Sequence, residues 1–106
     1  MHTLIVTFSL VGLDTSAFER MARDSAGRIS RVPGLIGKAY LVDEARNTYG
    51  GVYFFQDQRA AEAYVSSDII VSLNSSPNVA NLKTTIYGTV EEATRITQLQ
   101  LGLVTP

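Results

Sequence analysis

Few residue types in this chain can do chemistry. Among its 106 residues there is no cysteine and one histidine, His2, beside nine Lys or Arg and ten Asp or Glu. The missing thiols exclude thiolate nucleophiles, disulfide scaffolds, zinc ribbons and cysteine-held clusters. A single imidazole, placed where a terminus is expected to fray, gives neither a Ser-His-Asp triad nor a multi-histidine metal site. What remains is Lys38 with a group of tyrosines. A partly buried ammonium can stabilise a phenolate, or act as a base if its pKa falls. Tyrosine hydroxyls can orient an oxygenated aromatic while their rings stack on it. Lys38 and Tyr40 are therefore the candidate catalytic residues, and Tyr53, Phe55, Tyr87, Thr7 and Thr85 the candidate substrate-binding ones. Each also has a plainer structural reading. Lys38 could snorkel to a sheet edge or pair with a carboxylate across a dimer, and each tyrosine could be packing with a satisfied hydroxyl.

The elements that must position these residues follow from periodicity. Thr3 to Leu10 alternates apolar and polar residues and reads as a strand. Asp14, Thr15 and Ser16 offer N-cap oxygens, with Ser16 and Glu19 at capping-box spacing. The helix that follows carries Phe18, Met21, Ala22, Ile29 and Val32 on one stripe and stops at Pro33-Gly34. Leu35 to Val42 and Tyr49 to Phe55 form an expected hairpin around the polar turn Asp43 to Asn47. Asp57 caps a second helix with Ala60, Ala61, Tyr64 and Val65 on it. Ile69 to Leu73 is too short to assign to helix or strand. Asn74 to Asn78 reads as a loop, Val79 to Val90 holds a last long strand, and Glu91 begins a short terminal helix. This order predicts an α+β, ferredoxin-like antiparallel sheet with its helices on one face, as a single domain over residues 1–106.

Only one face of such a sheet is covered by its own helices. Alternation assigns Leu4, Val6, Phe8, Leu35, Gly37, Ala39, Leu41, Val52, Phe54, Leu82 and Ile86 to the covered face. It assigns Ile5, Thr7, Ser9, Ile36, Lys38, Tyr40, Val42, Gly51, Tyr53, Phe55, Lys83, Thr85 and Tyr87 to the other. That second set is poor in charge. The whole chain is 18% charged, below the roughly 25% of soluble domains, although a small domain has proportionally more surface to solvate. A second copy over this face explains the deficit and predicts a homodimer, two sheets packed face to face as a dimeric α+β barrel. The alternative is that the tyrosines merely fill an interface, with no pocket.

The net charge of -1 provides no field for nucleic acid. The run Leu4 to Leu13 lacks the basic region and cleavage pattern of a secretion signal, and no stretch approaches the roughly 20 apolar residues of a membrane span. The sequence thus reads as a soluble, cytoplasmic protein. Gly50-Gly51 opens a strand rather than a helix, so a bulge or a close backbone approach is expected there, not a phosphate loop. Arg20, Arg23, Arg28 and Arg31 form no single stripe and read as a solvated face. Asn74-Ser75-Ser76 fits a glycosylation triplet, moot without secretion.

The stretch Pro33 to Tyr40, then Gly50-Gly51-Val52-Tyr53-Phe54-Phe55, then Asp57 and Ala60 to Tyr64, resembles the YdhR-type monooxygenases of the dimeric α+β barrel superfamily, which includes the antibiotic biosynthesis monooxygenases. Gly37 departs from the resemblance, since relatives place a tryptophan before the lysine. The resemblance implies a homodimer whose hydrophobic pocket oxidises an aromatic or polyketide-like small molecule with neither metal nor flavin, in secondary metabolism. In such chemistry the substrate supplies the electrons, and the protein supplies a dry pocket, oxyanion stabilisation and orientation. An isomerase, cyclase or lyase working through the same enolate without oxygen, or a non-catalytic binder of an apolar metabolite, would present the same residues. Haem-degrading relatives raise a haem-ligand reading of His2, against which its terminal position argues.

Overall fold

The computed structural model describes residues 1–97. The expected single domain over 1–106 includes residues 98–106, which lie outside the described residues. The chain runs β1 (His2–Leu10), α1 (Thr15–Ile29), β2 (Leu35–Asp43), β3 (Thr48–Phe55), α2 (Gln58–Val65), α3 (Asp68–Ser75), β4 (Val79–Gly88) and α4 (Glu91–Ile96). The four strands form one antiparallel sheet in the order β2-β3-β1-β4. This is the ferredoxin-like arrangement, α+β as the periodicity predicts. The undecided Ile69–Leu73 piece is helical, and α3 takes in Asn74 and Ser75, which were expected in the loop.

Local chemistry sets the element boundaries. Asp14, not Ser16, caps α1, its carboxylate accepting from the Ala17 backbone N–H at 2.9 Å. Asp57 does the same for α2 through Ala60 at 2.8 Å. Helix α1 ends at Ile29, before the expected stop at Pro33-Gly34. The β2–β3 turn is clamped to the end of β1 by Asn47, which sits in the left-handed region at φ 48°. Its side chain donates to the Leu10 carbonyl at 2.9 Å and accepts from the Leu10 N–H at 3.1 Å. Asn tolerates that conformation better than most residues.

The core lies between the sheet and α1 to α3. Leu4, Val6, Phe8 and Leu10 of β1 enter it, as expected. On β3 the parity is the reverse of the expected one. Leu4 stands opposite Tyr53, Val6 opposite Gly51 and Phe8 opposite Tyr49. Directly opposed residues share a face, so Tyr49, Gly51, Tyr53 and Phe55 point toward the helices, while Val52 and Phe54 point away. The strand Thr48–Phe55 is apolar on both sides, and alternation alone cannot choose its inner face. On β2 the register slips between Leu35 and Gly37. The extra residue at this bulge turns everything after it over: Leu35 faces inward as expected, but Lys38, Tyr40 and Val42 also face inward, and Gly37, Ala39 and Leu41 face out. Lys38, Tyr40, Tyr53 and Phe55 thus belong to the helix side. Thr7, Lys83, Thr85 and Tyr87 keep their expected place on the open side, where Thr7 opposes Lys83 and Ile5 opposes Thr85.

Gly50 sits at φ 155°, a conformation that L side chains rarely adopt and that would aim a Cβ at β1. A Cβ there would lie 1.8 Å from the Val6 carbonyl oxygen, inside a central strand pair that cannot retreat. A Cβ on Gly51 would lie 2.6 Å from Cε of Lys38, a flexible side chain. Gly50→Ala is expected to destabilise the fold by at least about 3 kcal/mol, at the severe end for a single substitution. Gly51→Ala is expected to fold with a smaller loss and a displaced Lys38. Chemical denaturation of both variants checks the difference; equal losses would contradict the assigned cause.

Candidate functional site

The inward turn of β2 and β3 builds a cavity of about 290 Å³ between the sheet and the helices. Its floor is Lys38 and Tyr40 of β2 with Gly50 and Tyr53 of β3. Helix α1 supplies Phe18, Met21, Ala22, Ser25, Arg28 and Ile29, which recur at spacings of three and four and so line one helical stripe. Tyr64 of α2 and Ile69, Ser72 and Leu73 of α3 close the far wall. Most of the lining is apolar or aromatic, with few polar groups, as small-molecule sites are built.

Lys38 is the electrostatic centre. Its Nζ lies 3.8 Å from the Tyr40 ring centroid and 4.4 Å from that of Tyr53. No carboxylate lines the cavity and Lys38 makes no ion pair among the described residues. Burial without a counter-charge lowers its pKa from 10.5 to about 8. The two ring faces offset part of that cost, since a cation over an aromatic face gains about 0.5–2 kcal/mol. Gly51 makes the arrangement possible, because any side chain there would occupy the path of the lysine.

The tyrosines differ in what they have left to offer. Tyr64 donates its hydroxyl hydrogen to the Tyr53 hydroxyl at 3.1 Å, with the ring centroids 4.9 Å apart. Desolvation raises both pKa values, and for Tyr53 the neighbouring Tyr64 raises it further. These two are a buried, neutral wall. The Tyr40 hydroxyl is buried with no hydrogen-bond partner among the described residues. An unpartnered buried hydroxyl is costly, so this group is the one disposed to bond a ligand.

Of the residues singled out from sequence, Lys38, Tyr40 and Tyr53 meet in the cavity. Phe55 is fully buried in the core, stacked 6.2 Å from Tyr53 on the same side of the sheet, and flanks the floor without lining the cavity. Thr7, Thr85 and Tyr87 lie on the opposite side of the sheet and do not reach the cavity. His2 pairs in register with Phe55 and Gly88 and lies outside the lining as well. Periodicity missed Tyr64, Ser25 and Arg28. The α1 stripe could have flagged the last two, because they continue the spacing of Phe18, Met21 and Ala22. Among the described residues no cluster of three His, Cys, Asp or Glu could hold a metal ion, and no helix is long and apolar enough to cross a membrane.

Comparison with known proteins places this geometry. No match emerges among curated proteins. Solved structures share the fold at low identity. An oxygenase of Streptomyces nogalater, SnoaB (N63A mutant), described as cofactor-independent, superposes with a TM-score of 0.63 at 16% identity, over 84% of this chain and 92% of that one. A Nitrosomonas europaea protein described as a "putative antibiotic biosynthesis monooxygenase" gives 0.66 at 20% identity, over 85% and 99%. The haem degrader MhuD of Mycobacterium tuberculosis, with two haems bound in its active site, gives 0.64 at 14% identity, over 85% and 96%. The family model described as "Putative mono-oxygenase ydhR" matches residues 3–100. With that match spanning nearly the whole chain, including the strands that carry Lys38, Tyr40 and Tyr53, the protein belongs to the YdhR monooxygenase family.

Proposed function

We propose that this protein is a cofactor-independent monooxygenase that oxidises an electron-rich aromatic or polyketide-like small molecule in the cavity beneath α1, with Lys38 and Tyr40 as its catalytic residues. The observation that carries the reading is the Lys38 ammonium, desolvated over two tyrosine rings in a cavity lined, among the described residues, by no carboxylate. Family membership and the cofactor-independent neighbour support it. A phenol or enol that gives up its proton to solvent water becomes an oxyanion, which finds its counter-charge at Lys38 and a hydrogen bond at the Tyr40 hydroxyl. The anion passes one electron to dioxygen, and the two radicals combine to a peroxide. For a substrate whose enol equilibrates with a keto form bearing a CH₂ group, loss of water from the peroxide leaves a carbonyl. The balance is CH₂ + O₂ → C=O + H₂O, all electrons coming from the substrate. Tyr53 and Tyr64 keep the wall dry and neutral, which strengthens the field of Lys38 at the oxyanion.

Stoichiometric oxygen uptake with an anthrone-type substrate is the expected result, falling about 10²–10³-fold in Lys38→Met, the scale of losing an oxyanion donor. Equal turnover under nitrogen would instead identify an isomerase, cyclase or lyase acting through the enolate. Ligand affinity that responds to Lys38→Met and Tyr40→Phe with no product formed would identify a non-catalytic binder. The pH profile separates the two possible duties of Lys38. The groups facing it are the Tyr40 hydroxyl, the Arg28 guanidinium, and Tyr53 and Tyr64, whose ionisation burial opposes. A base must be neutral, so activity would rise through pH about 8; an ammonium that stabilises an oxyanion loses activity there. The loss is expected.

The same group gives a stability signature. Because the folded pKa of Lys38 lies below its unfolded value, the unfolded chain binds more protons above about pH 8, and stability rises with pH from there. Above pH 10.0 the tyrosines reverse the trend, since folding opposes their ionisation. Denaturation midpoints are expected to climb between about pH 8 and 10.0 in the native protein and to lose that climb in Lys38→Met.

The open sheet face fits a second copy. Ile5, Leu41, Val52, Phe54 and Tyr87 share it with Lys83, and Tyr87 is 56% exposed in the single chain. Pairing through this face yields the homodimeric barrel, in a soluble, cytoplasmic enzyme of secondary metabolism. Light scattering is expected to give twice the chain mass, and Phe54→Glu to give a monomer. A native monomer at micromolar concentration would refute the dimer.

A further inference from the structure

Among the described residues the cavity is lined by two cations, at different depths, and by no anion. Lys38 forms its floor, and Arg28, in the last turn of α1, lies exposed at its rim while still lining it. Arg28 makes no ion pair among the described residues. It is close enough to the Tyr64 hydroxyl to favour that group's ionisation, which places its charge toward the cavity and not only toward solvent. Besides the tyrosines, the other polar lining groups are the hydroxyls of Ser25, Ser72 and Ser76. The same cavity is lined by the apolar and aromatic side chains of Phe8, Phe18, Ile29, Tyr53 and Leu73.

We infer that the cavity takes an aromatic acid: a ligand whose reacting oxygen reaches Lys38 and whose separate anionic substituent is held at the rim by Arg28. The inference rests on the cavity being the ligand site proposed above, and adds the substrate's second functional group. A neutral polycyclic phenol would leave the Arg28 charge unanswered, and a cationic ligand would meet repulsion from both ends. A guanidinium presents a planar fork suited to a carboxylate. The competing account is that Arg28 merely complements the negative end of the α1 dipole. That account predicts an effect on stability and none on ligand choice.

The test titrates hydroxynaphthoate and its methyl ester, which keeps the phenol and removes the charge, into the native protein and three variants. The acid is expected to bind about tenfold tighter than the ester, the low end for a charge-assisted hydrogen bond at a solvated rim. That preference should weaken with added salt and fall to near parity in Arg28→Gln. It should persist in Lys38→Met, and in Arg20→Gln, which removes an α1 cation that does not line this cavity. Equal binding of the two probes, binding of neither, or a preference that survives Arg28→Gln would overturn the inference. Oxygen uptake is read separately. A preference for acid, with no oxygen uptake from the anthrone-type substrate, would leave the inference standing and remove the monooxygenase reading. Ester oxidised as well as acid, at equal affinity, would do the reverse.

Discussion

The pairing of β1 with β3 decides what each side of the sheet can do. Val6 meets Gly51 and Leu4 meets Tyr53 in register, and the backbone of Gly50, at φ 155°, leaves no room for a Cβ against the Val6 carbonyl. A shift of one residue would carry Tyr49, Tyr53 and Phe55 to the open face and bring Val52 and Phe54 in. The cavity would then lose its aromatic floor, Tyr64 its hydrogen-bond partner, and Lys38 one of the two rings beneath it. Because the pleat repeats every two residues, register and site chemistry are the same constraint here.

With that register fixed, the lysine is costly to the fold and useful to the site for one reason. Taking an ammonium out of water costs several kcal/mol per ion in real proteins, and two cation–π contacts offset only part of it. A carboxylate beside Lys38 would remove the cost, but would also satisfy the charge that an incoming oxyanion needs. The neutral Tyr53–Tyr64 pair fills the position such a carboxylate could have taken. Tyr64 donates to Tyr53 within it, and burial holds both hydroxyls protonated, so the wall carries no negative charge to satisfy Lys38. The unpartnered Tyr40 hydroxyl expresses the same economy: the fold leaves open a bond that a ligand can make.

Much of this was legible in the sequence, and the parts that were not have definable causes. Element order, the cap at Asp57, the inner face of β1 and the apolar character of the open face follow from local pattern. Lys38, Tyr40 and Tyr53 stand out as a chemical group because so few other residues could act. Their side of the sheet did not. One bulge after Leu35 inverts β2, and β3 is apolar on both faces, so period-2 alternation carried no information about its parity. Thr7, Thr85 and Tyr87 were grouped with Lys38 by that same alternation and lie across the sheet from it. Arg28 was obscured differently: four arginines without a common stripe read as solvent-facing, although one of them continues the apolar stripe of α1.

The corrected parity also separates two demands that the sequence seemed to place on one surface. A face that both packs against a partner and holds a reactive lysine would have to stay flat and apolar while keeping a polar site hydrated for substrate entry. The fold avoids the conflict. Ile5, Leu41, Val52 and Phe54 face outward, and Lys38, Tyr40 and Tyr53 face the helices. Each β3 residue on the open face is thus the chain neighbour of one that builds or supports the cavity floor. Substitutions at Val52 or Phe54 can change association without touching the cavity lining, and substitutions at Lys38 or Tyr40 can change the cavity without changing the open face. What couples the two sides is the backbone of β3 itself, through the conformation of Gly50.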